Sequence, residues 1–258
     1  MPSILNEREG PILRLTLNRP GVRNAFDEQL IAALTAAATE AAEDRALRAV
    51  VLAGSGRTFC AGADIGWMSK AIAYTQRENL SDAEDIARML ERLDTLAVPL
   101  IGRIHGAALG GGVGLAAVCD IVIAADDAVF ALSEVKLGIL PAVVAPYVLR
   151  KIGVSAAREL FLTGERFSAA RAREIGLVHE VVPAGDLDRA VSRRLSEIMT
   201  AAPGSVGIAK ALIREIAGAN PRDVIGLTTT AIASQRVSEE GQEGLRAFLE
   251  KRKPSWTA

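Results

Sequence analysis

Cysteine and histidine are nearly absent from this chain of 258 residues: Cys60, Cys119, His105 and His179 are all it has. No Cys-x-x-Cys pair occurs, so a zinc cage lacks its ligands and no metal site is expected. Two unpaired cysteines fit a reducing compartment. Long apolar runs are missing too. The longest uncharged stretch near the middle, residues 104–119, is shorter than the roughly 20 residues of a membrane helix and is broken by Gly110-Gly111-Gly112. The N-terminus has no basic region followed by an apolar core, so no signal peptide is read. Charge of one sign is not in excess, with Lys plus Arg at 30 and Asp plus Glu at 31. A net charge of -1 provides no general field for nucleic acid or an anionic membrane. A soluble cytoplasmic protein is expected, without nucleic-acid or membrane partners.

What is present is ordinary for a globular enzyme: half the residues are apolar and 24% are charged. The length allows between one and two domains. Residues 12–17 alternate as a strand and end at Asn18-Arg19-Pro20-Gly21. Asp27 is an N-cap for a helix carrying Leu30, Ile31, Leu34, Ala37, Ala38 and Ala41 on one face. Residues 49–53 form a short buried strand. Ile86, Met89, Leu90, Leu93 and Leu96 mark a second long helix, and residues 100–104 another strand. A helix is read over residues 115–118, and strands over 121–124 and 129–132. The rhythm of strand, strand, helix predicts an α/β fold. Beyond about residue 155 strands nearly vanish, and helices are expected over 186–200, 205–217, 223–237 and 240–251.

Three segments carry candidate chemistry. In Phe59-Cys60-Ala61-Gly62-Ala63-Asp64-Ile65, small side chains let a ligand approach backbone N–H groups; the plainer reading is a tight loop under a helix. His105 to Gly114 contains the glycine run. It is neither a Gly-x-Gly-x-x-Gly fingerprint nor a P-loop, so a developing oxyanion is a better guest than a nucleotide phosphate. Its plainer reading is close helix packing. Glu134 follows an apolar strand and precedes the uncharged residues 137–149, surroundings that raise a carboxyl pKa. Its plainer readings are a solvated loop or a salt bridge with Lys136. His105 reads as a satisfied structural histidine, His179 as part of an alternating strand face, and Asp126-Asp127 as a surface turn. No Ser/His/Asp pattern surrounds Ser55 or Ser133.

In this order and spacing the segments resemble the crotonase superfamily of enoyl-CoA hydratases and isomerases. The resemblance begins at Leu17-Asn18-Arg19-Pro20 with Asn24-Ala25. It runs through residues 59–65, 106–114, Cys119-Asp120 and 134–141, continues over 172–178, and ends at 244–252. It implies a spiral of ββα units over residues 1–200, followed by a helical oligomerisation segment over 201–258, assembled as a homotrimer or a hexamer of two trimers. The amides of Ala63 and Gly111 would form an oxyanion hole for the thioester oxygen of an acyl-CoA, and Glu134 would be the acid/base. Gly110 would accompany them. Residues Ala61, Gly62, Asp64 and Ile65 would line the CoA adenine pocket, Arg23 would touch a CoA phosphate, and Phe248 and Lys251 would reach the CoA of a neighbouring subunit. No separate cofactor is implied, since coenzyme A belongs to the substrate.

One departure matters. Hydratases of the family usually have two glutamates, and the first position here is Gly114. Hydration of a 2-enoyl-CoA with Glu134 alone is the leading expectation. A Δ3,Δ2-enoyl-CoA isomerase, which needs one proton shuttle, is the second. A non-catalytic protein binding acyl-CoA or a partner is the third. The segments around Gly114 and Glu134 are most similar to methylglutaconyl-CoA hydratase-like proteins of leucine catabolism. From this follows the expectation that a carboxylate on the acyl chain occupies the space Gly114 leaves and helps to order water.

Overall fold

The computed structural model describes residues 1–257. Its chain order is β1 (Ile4–Glu9), β2 (Ile12–Leu17), α1 (Glu28–Glu43), β3 (Ala49–Gly54), α2 (Ile65–Ala71), α3 (Gln76–Asp94), β4 (Leu100–Ile104), β5 (Ala107–Leu109), α4 (Gly111–Val118), β6 (Ile121–Ala125) and β7 (Val129–Ala131). There follow α5 (Ala145–Thr163), β8 (Arg166–Ser168), α6 (Ala169–Glu174), β9 (Glu180–Val182), α7 (Leu187–Thr200), α8 (Pro203–Ile216), α9 (Ile225–Val237) and α10 (Glu239–Leu249).

From β4 to β7 the strands alternate between two sheets. The larger has the order β1-β2-β3-β4-β6-β9 and is parallel except for the β1/β2 pair. The smaller has the order β5-β7-β8. β4 lies in the large sheet and β5 in the small one before α4 begins; β6 and β7 repeat the step before α5. A lone parallel bridge between Cys60 and Ala108 gives β3 the same companion before α2. This is the α/β fold that the strand, strand, helix rhythm predicts, in the ββα spiral that the family resemblance implies.

Parallel strands covered on both faces read as continuous apolar runs, and β3 buries Ala49, Val50, Val51, Leu52 and Ala53. On one side Val50 and Leu52 join the core under α1, α3 and α4. On the other, Ala49 and Val51 meet Leu187, Ala190, Val191 and Leu195 of α7. Asp27 caps α1 as expected, accepting from Leu30 N at 2.8 Å.

Several elements differ from the sequence reading. β1 escapes it because only Ile4 of that edge strand is buried, leaving no alternation to detect. The short strands β5 and β8 also escape it. α4 begins at Gly111, four residues before the expected start at 115. Glycine is a poor helix former, but here tertiary contact overrides propensity: a β-carbon on Gly112 would lie 2.5 Å from Cys60 O. His179 precedes β9 instead of lying within it, and its Nδ1 accepts from Val122 N at 3.0 Å. The four C-terminal helices stand within two residues of the expected bounds. Across α8, α9 and α10 the single chain buries only Ala247. Among the described residues no helix is long and apolar enough to cross a membrane.

Candidate active site

The segment after β3 and the segment after β4 are bound to each other. Cys60 N donates to Ala107 O at 3.0 Å and Leu109 N to Cys60 O at 2.9 Å. Glycine permits the closeness: a β-carbon on Gly62, whose φ is +89°, would lie 3.0 Å from Leu109 O. The first segment is also laced to residues 23–26, with Ala61 N donating to Arg23 O, Phe26 N to Gly62 O and Asp64 N to Phe26 O. Those of Ala63 and Gly111 are among the amides left over. Ala63 N–H sits between the bonded amides of this ladder, and Gly111 N–H opens α4; neither has an acceptor among the described residues. Unpaired amides at a helix start and a loop tip are the donors an oxyanion requires.

Both residues line one cavity of about 240 Å³ together with Ala61, Gly62, Gly110, Glu134, Phe26, Trp67 and apolar residues from 137 to 144. Glu134 begins a single 3-10 turn and makes no ion pair with Lys136. Its Oε2 is buried without a hydrogen-bond partner. Burial pushes its carboxyl pKa above the ordinary value, against a smaller opposing pull from its own backbone amide. Glu134 is the only ionisable side chain among the residues lining this cavity. A β-carbon on Gly110 would lie 3.0 Å from Glu134 Oε1, so the bare backbone at 110 leaves the carboxylate its place.

Three structural residues hold the donors in position, and the sequence reading assigns none of them a role. Asn24 is fully buried; its Nδ2 donates to Ser55 O and Thr58 O, and its Oδ1 accepts from Arg19 N. Arg19 pairs with Asp27 at 2.7 Å and Asp64 at 3.1 Å, joining the caps of α1 and α2. Phe26 fills the room beside Gly111, where a β-carbon would come within 2.4 Å of its ring. An asparagine in a turn and an arginine before a proline look like surface residues until their long-range partners are known.

The other expected site residues are placed differently. Asp64 caps α2; burial raises its pKa, but hydrogen bonds from Gly66 and Trp67 and the Arg19 charge outweigh that and hold it low. The side chains of Arg23, Ile65, Phe248 and Lys251 are exposed and lie outside the cavity. His105 is structural, with Nε2 2.9 Å from Gly56 O. The Cys60 thiol is pushed up to about 12 by burial, which removes it as a nucleophile.

The space expected at Gly114 does not exist. A β-carbon there would lie 2.3 Å from Val144 Cγ1. Val144, from the start of α5, occupies the room in which a second glutamate would stand. No basic side chain lines the cavity, so an acyl carboxylate would meet no counter-charge there.

Residues 7–258 match the family model described as enoyl-CoA hydratase/isomerase. A probable enoyl-CoA hydratase of Mycobacterium tuberculosis is 36% identical over 99% of the chain and 98% of its own length. The crotonyl-CoA hydratase of Syntrophomonas wolfei is 32% identical over 98% and 97%. Among solved structures, an enoyl-CoA hydratase from Shewanella pealeana superposes with a TM-score of 0.95 at 38% identity, covering 98% of the chain and 96% of its own. The fold, the paired amides and these likenesses agree: the chain is an enzyme of the enoyl-CoA hydratase/isomerase family, in the crotonase superfamily.

Proposed function

We propose that the protein adds water to a 2-enoyl-CoA thioester with a neutral acyl chain. One observation carries the reading: two acceptor-free amides and a lone, partnerless carboxyl line the same apolar cavity. The thioester oxygen accepts from Ala63 N–H and Gly111 N–H. Glu134, as carboxylate, takes a proton from water while the water oxygen bonds to Cβ. The Cα–Cβ double bond becomes single, and the electron pair moves onto the thioester oxygen as an enolate. Glu134 then returns its proton to Cα, the enolate collapses, and the carboxylate is restored. One carboxyl thus handles both protons in turn. Removing one oxyanion donor typically costs about 3 kcal/mol of transition-state stabilisation.

The single carboxylate favours a second reading, isomerisation of a 3-enoyl-CoA to the 2-enoyl isomer. Glu134 would take a proton from Cα and return it at Cγ, with no water needed. Mass analysis of products from a panel of enoyl thioesters separates the two. A product heavier by one water supports hydration; a product of unchanged mass with a shifted double bond supports the isomerase; no turnover on any member removes both.

Assembly belongs to the same proposal. Ile213, Ile225, Ile232, Val237, Phe248 and Leu249 stand more than half exposed on the C-terminal helices. Burying such residues against further copies of the chain accounts for them, as a trimer or a pair of trimers. Light scattering of the purified protein gives the mass directly.

A further inference from the structure

A second cavity, of about 340 Å³, shares Trp67 with the first. Ile31, Ala32, Thr35 and Ala36 of α1 line it, Ile31 alone of these being buried, together with Glu28, Asp82, Asp85 and Arg88. The Trp67 Nε1 donates to Asp82 Oδ2 of α3 at 3.0 Å. Asp82 makes no ion pair among the described residues, and its carboxylate accepts from this ring. The supporting elements are lightly anchored: α2 buries no residue, and the buried residues of α3 are Met89, Leu90 and Leu93, all in its second half. Segments with few buried contacts open at low cost.

We infer that Trp67, latched by Asp82, is the partition that limits acyl-chain length. With the ring in place, a short acyl group fills the first cavity and ends against the indole. With the ring displaced, a longer apolar chain continues over Ile31, Ala32 and Ala36. This inference rests on the proposed acyl-CoA site and adds the residues that set its depth.

The test is the ratio of kcat/KM for 2-decenoyl-CoA to that for crotonyl-CoA, in wild type, Trp67→Ala, Trp67→Phe and Asp82→Ala. Each methylene newly withdrawn from water is worth about fourfold. Trp67→Ala should therefore raise the ratio at least about tenfold. Trp67→Phe and Asp82→Ala each break the latch but keep a ring, so they should raise it less, and combining them should add nothing. If Trp67→Ala does not fold, those two variants carry the test through the same shift. A ratio that stays within about threefold of wild type in every folded variant overturns the inference. Should the wild type turn over neither thioester, the proposed function fails, and the ratio is then read as the relative Kd of saturated decanoyl-CoA and butyryl-CoA. An unchanged Kd ratio overturns the partition independently.

Discussion

Replacing Glu134 by Gln alters charge while keeping shape, and two opposite effects should follow. Turnover should fall by about 10² to 10⁴, equivalent to roughly 3 to 5 kcal/mol of barrier, because the only ionisable group lining the cavity can no longer carry a proton. Stability should move the other way. Burial raises the Glu134 pKa from its ordinary 4.5, so the folded state holds the carboxyl proton more tightly than the unfolded chain does. Its contribution to stability is therefore complete below about pH 4.5 and is lost as pH rises through the raised value. The partnerless Oε2 finds no compensating bond, and the amide of glutamine leaves that position equally unpartnered, so the comparison isolates the charge. Melting temperatures of the two proteins should converge near pH 4 and separate toward pH 8, with the variant higher. In the wild type, the acid limb of kcat/KM should have its midpoint above pH 4.5. Turnover within tenfold of wild type removes Glu134 from the chemistry. A melting difference that stays flat or inverts with pH refutes the claim that its ionised form is held at a cost to folding.

Asn24→Ala should destabilise by roughly 2 kcal/mol or more, read from denaturant midpoints, because it strands three part-buried backbone partners of a fully buried side chain. Its φ of +56° adds strain for alanine. Gly110→Ala should lower turnover far more than CoA binding, since its β-carbon falls 3.0 Å from Glu134 Oε1 at a φ of +50°; equal losses in both would refute this. Gly114→Ala should cost about 1 to 3 kcal/mol by overpacking against Val144. Val144→Ala in the same chain should relieve that cost, and simple additivity in the double-mutant cycle would count against the contact.

The local grammar was readable from the chain itself. Asp27 announced α1, the apolar pentad at 49–53 announced a short buried strand, and the strand, strand, helix rhythm announced the α/β fold, while the spiral came with the family resemblance. The order of small-residue loop, glycine run and glutamate pointed to the oxyanion site, because glycine and alanine tell of close backbone approach wherever they cluster after strands. Phe248 and Lys251, expected at the substrate, stand exposed and outside the cavity. Tertiary structure alone decided which amides stay free: Ala63 N–H is spared because its neighbours on either side pair with residues 23–26, distant in sequence. It also decided that Gly114 marks contact, not vacancy, because Val144, the residue just before α5, arrives from thirty residues later. A missing side chain looks the same in sequence whether a substrate or a neighbouring valine takes its place; only packing distinguishes them.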